Sequence, residues 1–190
     1  MIRVFDAFCK SFFHRDSDLM IFNTFMNNLQ VGKLTCPTCG AKYNCTAFSS
    51  YSRHMITFEN GLNTCYNISV DRVICNSCHH THAILPDNLI PFGSYTLSFV
   101  LTTLRAYFLG SKSVTSLCEY FQISVSTLYT WIKLFKEQKH IWLGLLRDSI
   151  TSPTNFIDDL LNHRLSASSF YSIAKLSFLQ NFKTTRFNSS

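Results

Sequence analysis

Apolar residues recur at helical spacing near the start of the chain and again through its second half, and a stretch of different rhythm separates the two. Over residues 17–31, Leu19, Ile21, Phe22, Phe25, Met26 and Leu29 fall close to one helix face, with Ser17 or Asp18 placed to cap its start. Residues 36–92 lose that period. There Tyr66, Ile68, Val70, Arg72 and Ile74 alternate with Cys65, Asn67, Ser69, Asp71 and Val73, and the run YSRHMITF precedes them across Glu59-Asn60-Gly61, which predicts a β-hairpin. The segment LPDNLIPFGSYT leads out of this region, with Pro86 and Pro91 expected to hold it extended. From Tyr95 to about Ile150 the helical period returns almost unbroken. Phe99, Val100, Leu104 and Phe108 form an apolar stripe on a helix over residues 96–109, and Pro153 is expected to end the run. Beyond it FIDDLLNHRL and SFYSIAKLSFLQNF are amphipathic, and TTRFNSS is expected to fray.

Two cysteine pairs carry the clearest chemistry. Cys36-Pro37-Thr38-Cys39-Gly40 and Cys75-Asn76-Ser77-Cys78 each place two thiols at the spacing of a metal-binding knuckle, and Gly40 follows the first without a side chain to crowd its turn. Structural zinc takes four tetrahedral ligands, which two knuckles supply between them. The predicted ligands are therefore Cys36, Cys39, Cys75 and Cys78, with the hairpin carrying the second pair at its end. The 35 residues between the pairs exceed the simplest ribbon insert, so AKYNCTAFSS is expected to loop out. Cys45 and Cys65 read as core thiols, and Cys9 and Cys118 have no ligand geometry. His79, His80 and His82 crowd the second knuckle; a polar loop is favoured over a ligand or a hydrogen bond to a thiolate.

A second motif lies in SVTSLCEYFQISVSTLYTWIKLFKEQ. Leu117 and Phe121 share a helix face, Ile123 sits in a turn, and Leu128, Trp131, Ile132 and Phe135 line the inside of the next helix, which Ser124 is placed to cap. Cys118 is the small residue where two crossing helices would touch. Gln122 stands where such turns favour glycine. The outer face of the second helix then shows Val125, Ser126, Thr127, Tyr129, Thr130, Lys133 and Lys136, of which the last six are the candidate DNA contacts: short hydroxyls near its start and lysines further along, as a DNA recognition helix requires. A hydrophobic helical hairpin with a solvated polar face is the plain alternative. With the preceding helix the motif makes a three-helix unit.

Composition narrows the class. Of 190 residues 46% are apolar, 18 are phenylalanine, and glycine and proline are scarce, which suits packed helices rather than disorder. The net charge is +6, and residues 93–140 hold five basic against two acidic residues, a mild lean towards a polyanion. The N-terminal stretch, broken by Arg3, Asp6, Lys10, Arg15 and Asp16, lacks a signal-peptide core, and LSFVLTTLRAYFL is too short and too interrupted to span a membrane. A cytoplasmic chain with reduced thiols follows, and there paired cysteines point to metal. Four thiolates close the zinc sphere against water, and the His-x-Glu of zinc deaminases is missing, since His14 is followed by Arg15-Asp16.

Taken together, CPTCG, then CNSCHHTHAILPDNLIPFGSYT, then the helix-turn-helix resemble a bacterial domain-of-unknown-function family linked to transposons, whose members look like the N-terminal DNA-binding part of insertion-sequence transposases. The resemblance spans about residues 30–140. It implies double-stranded DNA as partner and Cys36, Cys39, Cys75 and Cys78 as zinc ligands by position; only Asp148, Asp158 and Asp159 are acidic after residue 140, too few for the catalytic domain of such transposases, which leaves a separate transposase catalytic subunit admissible. The expected fold class is mainly α with a small β zinc ribbon and a helix-turn-helix three-helix unit. The segments are an N-terminal helical stretch (1–34), the ribbon (35–92), the helix-turn-helix (93–140) and a C-terminal helical tail (141–190). The expected function is sequence-directed DNA binding by a non-enzymatic accessory or regulatory protein, with a homodimer admissible. A zinc-ribbon module for protein–protein contact without DNA is the competing expectation.

Overall fold

The computed structural model describes residues 1–4, 17–162 and 164–181. The expectations placed on Cys9, His14 and the fraying of TTRFNSS fall outside them. The chain forms two compact units, Met1–Met55 with Cys65–Leu89, and Ile56–Thr64 with Ile90–Ser190. Among the described residues no helix is long and apolar enough to cross a membrane.

The first unit holds β1 (Ile2–Val4), α1 (Asp18–Asn27), a single 3-10 turn, most of β2 (Cys45–Glu59) and β3 (Leu62–Cys75), and β4 (Thr81–Pro86). The sheet order is β1-β4-β3-β2, with β1 parallel to β4 (Ile2 opposite Ile84) and β3 antiparallel to β4 (Val73 opposite His82). Ser17 caps α1, its hydroxyl accepting from the Met20 amide. Strands β2 and β3 meet at Asn60-Gly61, both at positive φ (53° and 81°), the conformation a two-residue hairpin turn needs and one that Asn and Gly tolerate.

The strands are longer than expected. β2 starts at Cys45, so most of AKYNCTAFSS is strand rather than loop, and the fold is mixed α/β instead of mainly α with a small ribbon. The physical reason is β2's position at the sheet edge. Residues 46–52 are exposed on both faces, so no face selects apolar residues and no alternation marks the strand. In β3 the alternation is real, but the buried side changes. Ile68 and Val70 pack with Phe22, Met55, Leu85 and Leu89, while Val73 and Cys75 pack on the opposite face with Phe25, Leu34, Cys45 and Ile84. Val73, expected on the polar side, is therefore core.

In the second unit α2 (Leu97–Leu109), α3 (Val114–Phe121), α4 (Val125–Ile150), α5 (Pro153–Leu161) and α6 (Ala167–Ala174) share one core with the hairpin tip. A hydroxyl from Thr96, Ser113, Ser124, Ser152 or Ser166 caps the start of each helix. The many phenylalanines find their place here. Phe58 of the tip stacks on Phe99 and meets Phe121, Trp131 contacts Tyr95 and Phe99 edge-on, and Phe135, Phe156, Phe170 and Phe178 surround Trp142 or one another. Residues beyond 150 are thus integral to the core. Ile56 bonds through its backbone to Ser94 and Thr96. The segment LPDNLIPFGSYT is not extended as predicted. It turns at Pro86–Leu89 and again at Ile90–Gly93, each closed by an amide three residues on.

Two further departures concern α4 and its end. Gly144 (φ 72°, ψ 168°) breaks the helix that the apolar period had run through, in a region of backbone space that only glycine occupies readily. Across that break the buried Lys139 ammonium donates to Asp148 Oδ1 (2.5 Å) and to the Thr151 carbonyl (2.8 Å). In a straight helix the nine-residue separation would be about 13 Å of axial rise, out of reach of such a bond. Pro153 does not merely stop a helix; it opens α5 as its first residue, where its missing N–H leaves nothing unpaired.

Candidate metal centre and candidate nucleic-acid interface

The two knuckles fold alike. In the first, the Gly40 amide donates to the Cys36 carbonyl and the Cys36 amide to the Ala41 carbonyl. In the second, the His79 amide donates to the Cys75 carbonyl and the Cys75 amide to the His80 carbonyl. Gly40 (φ 74°) and His79 (φ 58°) occupy the same left-handed position four residues after the leading cysteine. His79 therefore serves the turn through its backbone, and its side chain is exposed.

This folding brings all four predicted ligands together. The sulfurs of Cys36, Cys39, Cys75 and Cys78 lie within 4.8 Å of one another, with Cys36 and Cys78 at 3.6 Å and Cys39 and Cys75 at 3.7 Å. A tetrahedron of thiolates at the zinc–sulfur length of ~2.3 Å has edges of about 3.8 Å. The set therefore fits a tetrahedral thiophilic ion. Electrostatics point the same way. Amides of Cys78 and Ser77 aimed at the Cys75 sulfur lower its pKa to about 6, against the opposing effect of burial. The amide of His80 favours the Cys78 thiolate, but burial and the three neighbouring thiols outweigh it and push that thiol up to about 12. Burial raises the Cys36 thiol, and the Cys39 and Thr38 amides more than compensate, so its pKa falls. The cluster readily gives up its first protons and holds the last, the imbalance that a divalent cation relieves.

One residue next to the site was misread from sequence. His82 lies on β4, 4% exposed, with Nε2 3.3 Å from Cys36 Sγ. It is neither a loop residue nor one of the four clustered ligands. The β4 alternation carried the signal, since His82 is in phase with buried Ile84. His80 is exposed and bonds the Cys78 carbonyl. Cys45 is a buried thiol beside the cluster, its pKa raised by burial and then by Cys75 and Cys36. Cys118 is buried between helices as expected. Cys65 is not a core thiol. It is exposed on β3, with its sulfur 3.7 Å from His54 Nδ1; it lies in the half of β3 where the even-numbered side chains face the core.

In the second unit α3 leads to α4 through three residues. Gln122 adopts the left-handed conformation (φ 51°, ψ 46°) without being glycine, and its carbonyl accepts from Asn63 of the hairpin tip at 3.2 Å. The Ile123 amide returns to the Cys118 carbonyl. Leu128, Trp131, Ile132 and Phe135 are buried as predicted. Ser126, Tyr129, Thr130, Lys133 and Lys136 are exposed along the other face, and Thr127 is half-buried. Local bonds engage all three hydroxyls, since Thr130 donates to the Ser126 carbonyl and the Ser126 and Thr127 oxygens each lie 2.8 Å from the capping Ser124 oxygen. Lys133 makes only a long, exposed contact of 4.0 Å with Glu137. The acidic residues after position 140 each have a basic partner: Asp148 pairs with Lys139, Asp158 with Arg105 and Asp159 with Arg164.

The sequence profile of the family described as "Domain of unknown function (DUF6431)" matches residues 36–131, half of the chain, from the first knuckle into α4. Neither a curated protein nor a solved structure matches.

Proposed function

We propose, from the premise that the chain belongs to the DUF6431 family of unknown function, that it binds double-stranded DNA through α3 and α4 used as a helix-turn-helix. One observation carries the reading. Over residues 126–136 α4 is divided cleanly: Leu128, Trp131, Ile132 and Phe135 anchor one side in the core, while Ser126, Tyr129, Thr130, Lys133 and Lys136 face water on the other. A helix held rigidly from behind and presenting hydroxyls, a tyrosine and lysines suits a major groove, where phosphates position it and base edges select the site.

Zinc is the metal proposed for the four-cysteine set, because soft thiolates in a tetrahedron select it. Cys36, Cys39, Cys75 and Cys78 would hold it, and its chemistry is to neutralise four thiolates and tie the knuckles together. The part assigned to the protein is non-enzymatic, an accessory or regulatory role related to transposons, with a separate subunit supplying any strand chemistry. Pairing of Asp148, Asp158 and Asp159 with three different bases supports this, since a nuclease needs carboxylates converging on one metal.

The test is metal analysis of the purified chain together with fluorescence anisotropy against mixed labelled duplexes at two salt concentrations. One zinc per chain and an affinity that falls steeply with salt are expected. No duplex binding at low salt would refute the reading.

A further inference from the structure

Beyond the break at Gly144 the chain exposes aliphatic side chains where a soluble helix carries polar ones. Leu145 is 76% exposed, Leu146 83% and Ile150 84%, and Ile141 just before the break is 42% exposed. Leu146 and Ile150, four apart, share one helical face, with Leu145 on the adjoining side. Together the four leave on the order of 500 Å² of aliphatic surface in water, the size at which a patch marks an interaction site rather than scattered exposure. Beside this patch is an open hollow of about 400 Å³, lined by Phe135, Lys136, Lys139, Asp148, Ile150 and Pro153. Exposed aliphatic side chains adjoining a partly apolar hollow give this face both parts of a contact with itself.

We propose that this face is the contact between two copies of the chain, related by a twofold axis, with Leu146 of each copy seated in the hollow of the other. Three arguments favour a second copy over another protein. Burying the patch against itself hides on the order of 1,000 Å², which reaches the lower bound for a specific interface, whereas a flat partner without a hollow would cover less. The twofold arrangement uses one surface on both copies and closes on itself, so patch and hollow are both satisfied in a dimer. The third argument rests on the proposed DNA reading. From Thr130 to the break at Gly144 α4 rises about 20 Å. Two recognition faces either side of an axis at the patch are then up to about 40 Å apart, a span that includes the ~34 Å between successive major grooves on one side of a duplex.

The experiment is sedimentation velocity of the full chain between 1 and 100 micromolar (about two decades, spanning the usual range for modest interfaces), without DNA. The wild type is expected to sediment at twice the chain mass, and L145K/L146K as a monomer with the same far-UV spectrum, since both side chains are already in solvent. I173K, at another exposed aliphatic position (57%), is expected to leave the dimer intact. A wild type that stays monomeric throughout, a double variant that still dimerises, loss of the dimer in I173K, or open-ended polymers would each overturn the proposal. Anisotropy on a duplex with a single half-site separates the two readings. L145Q/L146Q, which removes the aliphatic patch without adding charge, should bind it as the wild type does, because Thr130 and Lys133 are untouched, whereas failure of both proteins to bind would strike the DNA reading and not the dimer.

Discussion

At the scale of single residues the metal centre is built from two local objects, the CxxC knuckles. Two thiols and a left-handed residue four positions on are fixed by a handful of consecutive dihedral angles, and Cys36, Cys39, Cys75 and Cys78 converge as their spacing requires. His82 was not legible as part of either object, since its place depends on β4 pairing with β3 opposite Val73. Its closeness to Cys36 leads to a prediction. An imidazole N–H directed at a metal-bound thiolate holds that ligand and offsets its charge, so H82A should weaken zinc affinity by about 10–100-fold, with H82Q recovering part of the loss. Competition with a chromophoric chelator measures it, and equal affinity in all three proteins would leave His82 as packing alone. The thiolates also set a pH dependence. Each must lose its proton to bind, and Cys75, with its pKa lowered to about 6 by the knuckle amides, keeps a thiolate available at neutral pH but not far below it. Protons compete with zinc for all four sulfurs, so zinc affinity should fall as the pH is lowered from 8. Competition with a zinc indicator at several pH values follows the change; an affinity independent of pH would contradict thiolate ligation.

At the scale of elements, helices with one buried face were readable and strands with none were not. α1, α2 and the start of α4 follow their apolar periods and hydroxyl caps. β2 escaped because an edge strand wet on both sides has no periodic constraint. The break in α4 escaped because a glycine between Leu143 and Leu145 leaves the apolar count unchanged while altering the path of the chain. That break is testable. G144A forces a side chain into glycine-only backbone space, which costs about 1–3 kcal/mol, and straightening the helix to escape the strain would pull Lys139 away from Asp148. K139M should be more damaging, because it removes the bonds of a buried ammonium to Asp148 and to two carbonyls, at about 1–3 kcal/mol for each buried partner left unpaired, while the partly exposed Asp148 keeps His140 beside it. Chemical denaturation of both variants checks the order. The two faces of α4 separate in the same way. W131A should destabilise the fold by about 3–5 kcal/mol, as its indole is packed against Tyr95 and Phe99. K133A should leave stability unchanged, weaken binding to every duplex alike and reduce the salt slope by about one contact. T130A should cost on the order of 1 kcal/mol on a preferred site if its hydroxyl reaches a base edge. Normal binding by K133A and T130A together with an undiminished W131A melt would mean the faces are assigned the wrong way round.

At the scale of the whole molecule the chain is interleaved in a way that no local pattern announces. Residues 56–64 lie between the two cysteine pairs in sequence, yet they pack with the helices, through Phe58 on Phe99 and Phe121 and through Asn63 on Gln122. Aromatic residues in a hairpin tip look the same in sequence whether they meet the sheet beneath them or a helix far along the chain; only the long-range partners distinguish the cases. The consequence concerns metal removal. The cores of the first unit are small, and the larger of them includes Cys36, Cys45 and Cys75 themselves, so its packing and the metal site are made of the same residues. The helical core draws its buried residues from positions 90–179 and has no metal ligand among them. Chelation should therefore remove much of the strand signal in far-UV circular dichroism while the helical bands persist, because zinc binding at such a site is folding free energy for the unit that contains it. Heating the chelated chain should then show the remaining helical transition near its original midpoint, and restoring zinc under reducing conditions should bring the strand signal back. C36S should reproduce the chelated state without chelator. If chelation instead collapses helix and strand signals in one step, the helical unit depends on the metal for its own fold, and the division of stability drawn from the two sets of buried residues is wrong.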